Sequence, residues 1–154
     1  MNGGRIDRRH PEIKLHHIGV VVKDAIEAGK LYRELVPGAL DVNSEHVESQ
    51  RVNICMMRSN CETVIEFISP ADEDSPVSLF LKNGGGLHHF CYETDDIDTA
   101  CVKLKPHLRK ITNIFCGFEG RKCAFFWVKN PMLGMSLIEI TETDKCISGE
   151  DHVL

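Results

Sequence analysis

Short apolar runs with strand-like alternation divide the chain, and the same order of runs occurs twice. Each copy starts with a β-rich run, at residues 15–22 and 87–94, that leads to an aspartate placed to cap a helix, Asp24 or Asp96. The two starts read LHHI and LHHF, and their second histidines lie 72 positions apart. The repeat predicts two related units within one chain.

An amphipathic helix is predicted after each aspartate. In the first unit the approximate apolar face consists of Ile26, Leu31, Leu35 and Val36. The face predicted for the second helix is more regular, and its members are Ile97, Ala100, Cys101, Leu104 and Leu108.

Each predicted helix is followed by β-type runs, at residues 52–57 in the first unit and 123–128 in the second. After each run comes a strand in which one glutamate lies among apolar residues, Glu66 or Glu139. These glutamates are 73 positions apart, almost the same spacing as the histidines. Each unit therefore has the predicted order β-α-β-β-β.

The repeat also predicts the domain organisation. We expect a single domain whose parts are module 1 at about 13–70, a linker at about 70–85 and module 2 at about 86–142. The domain thus covers residues 13–142. The remaining residues, 1–12 and 143–154, are expected to form a flexible N-terminus and a C-terminal tail.

The predicted fold class is α+β. One β-α-β-β-β unit has a sheet face to cover, and two tandem units can cover each other by forming a curved eight-stranded mixed sheet with the helices outside. Such a sheet encloses a central trough.

Composition and charge narrow the possible functions. A chain of 154 residues with 42% hydrophobic residues is long enough for one domain with a real core. Its formal net charge is −5 and its Lys and Arg residues are scattered, so we expect no nucleic-acid partner. No apolar run is long enough for a signal peptide or a membrane span, which predicts a soluble, cytoplasmic protein without a membrane partner.

The seven cysteines are odd in number and include no C-x-x-C pair. This pattern argues against both a disulfide framework and a zinc knuckle. Most of them lie in apolar runs, where a reduced thiol packs as a small hydrophobic group.

Two histidines and two glutamates occupy equivalent positions of the repeated unit: His17, Glu66, His89 and Glu139. A carboxylate in an apolar strand costs several kcal/mol unless it is paired or binds a metal. A single histidine or glutamate of this kind is more commonly structural, but four matching positions favour a shared site in the trough. Imidazole and carboxylate donors suit one divalent ion per chain, Zn, Ni, Co, Mn or Fe(II), with two positions left for a substrate.

Four motifs in order resemble those of the vicinal-oxygen-chelate superfamily (glyoxalase, bleomycin resistance protein, dioxygenase), and most of all its methylmalonyl-CoA epimerases. They read LHHIGVVVKD, IEFISPADEDSP, GGGLHHFCYETDDID and LIEI. The resemblance covers residues 13–142. It implies that the second histidine of each doublet binds the metal, together with Glu66 and Glu139. His16 and His88 would then face the other side, supporting the ligands or packing.

The resemblance implies a reaction that begins with enolisation. A metal polarises the carbonyl of a small-molecule substrate, such as an acyl-CoA, and Glu139 abstracts the proton from the adjacent carbon. Three alternatives remain: a glyoxalase I-type lactoylglutathione lyase, a carbohydrate epimerase of the same superfamily, and a ligand-sequestering protein without catalysis. The four-ligand set disfavours the last. Relatives of this fold commonly pair, so analogy predicts a homodimer.

The sequence departs from the epimerase pattern at three places, one of which is Gly134-Met135 where a pair of glycines is usual. Some epimerases have a second, unligated glutamate, and its position here falls on Asn53 or Ile54, neither of which exchanges a proton at neutral pH. The family's His-Pro-Lys element before the last strand is replaced by residues 128–131. The exact substrate and the second proton donor therefore stay open, as does the native metal.

Overall fold

The computed structural model of the chain describes residues 12–60 and 62–146. The strands of this part are β1 (Lys14–Val21), β2 (Leu40–Val47), β3 (Val52–Arg58), β4 (Val64–Pro70), β5 (Gly86–Thr94), β6 (Leu108–Lys110), β7 (Phe115–Cys116), β8 (Arg121–Val128) and β9 (Leu137–Lys145). Its α-helices are α1 (Ala25–Leu35), α2 (Ser78–Lys82) and α3 (Ile97–Leu104). Residues 1–11 and 147–154 of the predicted tails lie outside the described residues, whereas β9 continues three residues past the predicted domain end.

All the described strands belong to one mixed sheet with the order β2-β3-β4-β1-β5-β9-β8-β6, and the two-residue strand β7 also pairs with β8. Each half of the sheet has the same internal arrangement. β1 is parallel to β4, and β5 is parallel to β9, while β1 and β5 join the halves as an antiparallel pair. The predicted α+β fold with two β-α-β-β-β units is therefore confirmed, with β7 as an additional short strand in the second unit.

Both predicted helix caps are present. The Asp24 carboxylate accepts a hydrogen bond from the Glu27 backbone N–H, and the Asp96 carboxylate accepts one from the Thr99 backbone N–H. Each bond satisfies a backbone donor that the first turn of a helix leaves without a partner. The two modules thus enter their helices in the same way.

Most of the apolar face predicted for α1 is wrong: Val36 packs against the core, but Ile26 and the two leucines are exposed. Leu31 and Leu35 are 57% and 79% exposed, and the buried residues of this helix are Ala25 and Gly29. A Cβ added at Gly29 would lie 2.5 Å from the Sγ atom of Cys55 on β3. Small residues thus allow the helix backbone to approach the sheet closely, which a face of leucines would prevent.

The prediction for α3 is closer to the structure. Ile97 and Ala100 are fully buried against a core cluster of β8 and β9 that includes Phe126 and Ile140. Leu108 is also buried in this cluster, but it belongs to β6, because α3 ends at Leu104. No helix of the described residues is long and apolar enough to cross a membrane.

Candidate metal centre

The four predicted donor residues meet in the middle of the sheet. His17 lies on β1, Glu66 on β4, His89 on β5 and Glu139 on β9, which are four consecutive strands of the sheet. Each of these residues is at most 4% exposed. The repeat places the two histidines on the central antiparallel pair and one glutamate on either side.

The donor atoms of this cluster have the spacing of ligands around one ion. Glu139 Oε2 lies 3.4 Å from His17 Nε2 and 3.1 Å from His89 Nε2. Glu66 Oε2 lies 3.3 Å and 3.6 Å from the same two nitrogens, which are 3.3 Å apart. Two ligands that are each ~2.1 Å from an ion are separated by about 3.0 Å at a right angle and about 3.4 Å at the tetrahedral angle. The four residues therefore fit a divalent cation.

The charges of the cluster are strongly coupled. Burial opposes the charged form of His17, but Glu66 and Glu139 outweigh it and raise the pKa of His17 to about 10. Burial likewise opposes the ionised form of Glu139, yet its hydrogen bonds with His17 and His89 hold the pKa of that carboxyl well below its ordinary value. Without a metal, a proton on His17 thus partly balances two buried carboxylates.

A second histidine supports each donor histidine. The Nδ1 atom of His17 lies 2.9 Å from Nδ1 of His16, and the Nδ1 atom of His89 lies 2.9 Å from Nδ1 of His88. Burial lowers the pKa of His16, and it lowers the pKa of His88 to about 4, so both favour the neutral form that accepts a hydrogen bond. A donor histidine that gives its Nδ1 proton to such a neighbour keeps the Nε2 lone pair for a metal.

Gly19 leaves space for the ring of His89, the second donor histidine. In the β1–β5 pair Gly19 lies opposite His89, and a Cβ atom at this position would overlap the imidazole ring. The glycine of the first motif is therefore needed for the close approach of this ring to β1.

A cavity of about 680 Å³ opens onto the cluster. Three of the four donor residues, Glu66, His89 and Glu139, line it directly. The other polar side chains of its lining are Ser49, Gln50, Asn83, His88, Thr112 and Asn113. Its apolar lining consists of Val47, Val52, Ile54, Ile68, Pro76, Val77, Leu79, Phe80, Ile111, Phe115, Phe118, Phe125, Trp127 and Leu137.

The two positions considered for a second acid have different environments. Ile54 lines the cavity, whereas the Asn53 side chain lies 3.0 Å from Nδ1 of His46. The carboxylate of Glu48 lies 2.7 Å from Nε2 of the same histidine and is 91% exposed. Neither position thus places an acid in the cavity, and Cys55, another conceivable donor, is buried against α1.

Sequence reasoning missed the polar residues Ser49 and Gln50 of the cavity lining. They belong to a 3-10 turn between β2 and β3, and Arg51 follows it in the left-handed conformation, with φ of 54°. This turn directs its side chains toward the cavity. A run of polar residues between two strands indicates only a loop, so no sequence signal distinguishes these residues from ordinary loop residues.

The family profile of the Glyoxalase/Bleomycin resistance protein/Dioxygenase superfamily matches residues 16–125. An uncharacterised Bacillus subtilis protein, YqjC, is 34% identical over 115 residues, which are 73% of this chain and 81% of that protein. The mouse mitochondrial methylmalonyl-CoA epimerase is 33% identical over 136 residues, covering 84% of this chain and 72% of the mouse protein.

One similar solved structure contains a bound ligand. The Streptomyces coelicolor methylmalonyl-CoA epimerase in complex with 2-nitronate-propionyl-CoA superposes with a TM-score of 0.67 at 26% sequence identity. The match covers 84% of this chain and 96% of the Streptomyces chain. The whole two-module architecture is therefore similar in a protein that binds an acyl-CoA analogue.

Proposed function

The chain belongs to the glyoxalase/bleomycin resistance protein/dioxygenase superfamily, and we propose that within it the protein is a divalent-metal-dependent epimerase or isomerase similar to the methylmalonyl-CoA epimerases. One observation carries the proposal. Each of two imidazole nitrogens lies 3.1–3.6 Å from each of two carboxylate oxygens in a buried cluster that opens onto a cavity. The substrate is then a carbonyl compound, and the similarity to acyl-CoA epimerases makes an acyl thioester the first candidate.

His17, Glu66, His89 and Glu139 would hold the cation. When bound, it supplies Lewis acidity that stabilises negative charge on the oxygen of a substrate carbonyl. His16 and His88 hold the ligand histidines in one orientation by accepting their Nδ1 protons.

Glu139 is the proposed base. It lines the cavity next to the donor cluster, so its carboxylate lies close to where the carbon beside a bound carbonyl would sit and can accept the α-proton. Aromatic carbon lies beside the donor cluster, since Phe125 packs edge-on against His89 with ring centres 5.3 Å apart. Surroundings of low polarity strengthen the electrostatic interactions of the transition state.

A glyoxalase I-type isomerase is the second candidate. It is favoured by one observation, the apolar side chain of Ile54 where a second acid would be needed for inversion. A single base suffices for a reaction in which the proton returns to the same face of the enolate. The ligand set is the same for both candidates.

One assay distinguishes the two functions. The metal-loaded protein is incubated in deuterated water with acyl-CoA thioesters, among them methylmalonyl-CoA, and separately with methylglyoxal and glutathione. Incorporation of deuterium next to the thioester supports the epimerase, whereas formation of lactoylglutathione supports the isomerase. Glu139→Gln should abolish either reaction, and turnover in neither arm would contradict both candidates.

A further inference from the structure

We propose that Cys116 and Cys146 form a reversible disulfide that joins the end of β9 to β7 and holds segment 115–118, which carries two phenylalanines of the cavity lining, in place. The two free thiols lie against each other, and backbone hydrogen bonds bring their segments together. This oxidation site lies outside the donor cluster, so it is independent of the proposed function.

The backbone brings the two cysteines together at the turn between β7 and β8. Cys116 ends β7, and the N–H of the following Gly117 donates a hydrogen bond to the carbonyl of Arg121 at 2.8 Å. Cys146 directly follows β9, and its N–H donates to the carbonyl of Gly120, the residue before Arg121. The side chains of Cys116 and Cys146 are hydrogen-bonded to each other. Since the sulfur atoms of a disulfide are about 2 Å apart, only a small approach of the two side chains is needed to form the bond.

This pair also has access to solvent. Cys116 is exposed and Cys146 is half-buried, so a small oxidant can reach them. Cys91 and Cys123 interact with each other as well, but both are fully buried against the core. Oxidation of cysteine follows exposure, which makes Cys116 and Cys146 the pair that responds to the redox state of the surroundings.

The reaction is a thiol–disulfide exchange with a low-molecular-weight disulfide such as oxidised glutathione. The thiolate of one cysteine attacks a sulfur atom of the oxidant, whose S–S bond breaks, and one glutathione leaves. The other cysteine then attacks the mixed disulfide, and the second glutathione leaves. Two electrons thus pass to the oxidant, and the two cysteine protons end on the released thiols.

The surroundings of Cys116 favour the oxidised pair at equilibrium. Partial burial and the neighbouring Cys146 thiol raise the pKa of Cys116 to about 11. A stable thiolate stabilises the reduced form of a dithiol, so its absence here shifts the equilibrium toward the disulfide. The same shift leaves little thiolate at neutral pH, which makes formation of the bond slow and equilibrium measurements the appropriate test.

A disulfide at this place would restrain part of the cavity lining. Phe115 and Phe118 lie on either side of Cys116 and line the cavity. The ring of Phe118 packs edge-on against the donor histidine His17 with ring centres 5.1 Å apart. The carbonyl of Cys116 accepts a hydrogen bond of 2.7 Å from the hydroxyl of Ser49, another lining residue. Attachment of Cys116 to the end of β9 therefore limits the motion of several lining residues at once.

Equilibration with mixtures of oxidised and reduced glutathione, followed by acid quenching and peptide mapping, tests the proposal. Trypsin cleaves after Lys110, Arg121 and Lys145, so the two cysteines lie in separate peptides, 111–121 and 146–154. We expect these peptides to be joined by a disulfide in the oxidising mixture and separate in the reducing one. Glutathione attached to either cysteine without any joined peptide would overturn the proposal.

Serine variants identify the pair. Cys116→Ser and Cys146→Ser should each abolish the joined peptide, because each leaves a single thiol. Cys101→Ser is the matched control, since Cys101 is half-buried on α3, and it should retain the joined peptide. The wild type should unfold several degrees higher in the oxidising than in the reducing mixture. Cys116→Ser and Cys146→Ser should unfold at the same temperature in both.

Amide hydrogen exchange measures the effect on the cavity. Formation of the disulfide should slow exchange in segment 115–118 several-fold and leave α1 unchanged, whereas Cys116→Ser should exchange equally in both mixtures. A disulfide that forms without slowing exchange in this segment would overturn the restraint of the lining. Assays of the proposed function use the reduced, metal-loaded protein, so a failure there would leave this proposal standing.

Discussion

At the scale of single residues, the contacts of each histidine show which member of a doublet faces the glutamates. His17 follows His16 on β1, and His89 follows His88 on β5, so residue type and strand alone do not distinguish the members of a doublet. The Nε2 atoms of His17 and His89 point at the glutamates, while His16 and His88 lie against the Nδ1 atoms of these two rings. Position in the strand thus assigns a different role to each member of a doublet.

Substitution of the donors should separate these roles. We expect His17→Ala and Glu66→Ala each to lose most of the bound divalent ion, because each removes a donor from a four-residue set. His16→Ala should retain the ion but bind it about 10–100-fold more weakly, since only a supporting hydrogen bond is lost. Elemental analysis and competition with a chelator measure occupancy and affinity. Full occupancy in His17→Ala with loss in His16→Ala would contradict the assignment.

Metal binding should release a proton. In the metal-free protein the pKa of His17 is raised to about 10 from 6.5, so at pH 8 this side chain is protonated and must lose its proton to bind a metal. Calorimetric titration at pH 8 in buffers of different ionisation enthalpy should report about one proton released per ion. Release close to zero would mean that His17 is already neutral.

The same shift predicts the pH dependence of stability. Because the pKa of His17 is higher in the folded than in the unfolded chain, its contribution is fully present below pH 6.5 and is lost as the pH rises toward about 10. Denaturant unfolding of the metal-free protein across this pH range measures the free energy of unfolding. In His17→Ala the decrease of this free energy between pH 6.5 and about 10 should be absent.

At the scale of secondary-structure elements, close packing determines how α1 lies on the sheet. The helix contacts β3 through Ala25 and Gly29, and its leucines face outward. The hydrophobic pattern alone would place those leucines against the sheet. At Gly29 the close approach to Cys55 leaves no space for a larger side chain.

Two substitutions in α1 test this orientation. Gly29→Ala should destabilise the protein by about 1–3 kcal/mol, because the added Cβ overlaps the Cys55 side chain and outweighs the better helix propensity of alanine. Leu31→Ala should change the free energy of unfolding by no more than about 0.5 kcal/mol, since Leu31 is exposed. Denaturant unfolding measures both. A larger loss for Leu31→Ala would mean that the leucine face is buried.

At the scale of the whole molecule, the two modules contribute equally to the donor cluster but unequally to the rest of the cavity. Each module provides one histidine and one glutamate. The wall from the second module is aromatic, with Phe125 and Trp127, whereas β3 of the first module contributes Val52 and Ile54. Duplication thus explains the donor cluster, and the divergence of the modules explains the shape of the cavity.

The asymmetry predicts exchange without efficient inversion. With Glu139 as base and the apolar side chain of Ile54 in the lining where a second acid is expected, an acyl thioester should take up deuterium faster than its centre inverts. Ile54→Glu should raise inversion relative to exchange. Asn53→Glu is the matched control, because this side chain lies against His46, and it should have little effect. Chiral analysis with mass spectrometry measures both rates; equal rates in the wild type would indicate an acid elsewhere.

The homodimer also stays a prediction at this scale. It rests on the association common among relatives of this fold. Sedimentation at micromolar concentration should give a species of twice the 17.3 kDa chain mass. A single species at the chain mass would exclude it.

Much of the fold could be predicted because the sequence contains it twice. The β-α-β-β-β order, both aspartate caps and the convergence of His17, Glu66, His89 and Glu139 follow from equivalent positions in the two copies. A local pattern that recurs at one spacing carries information about contacts far apart in the chain, which a single copy does not.

The features that the sequence did not predict depend on distances between elements. The burial of Gly29 in place of the leucines, the orientation of Asn53 toward His46 and the inclusion of Ser49 and Gln50 in the cavity lining belong to this group. The sequence by itself determined the periodicity of each segment and the residue types at repeated positions, and hence the fold and the donor set. Only the tertiary structure decided which face of α1 is buried and which loop residues enter the cavity, because close packing between distant segments selects among orientations that local periodicity leaves equally possible.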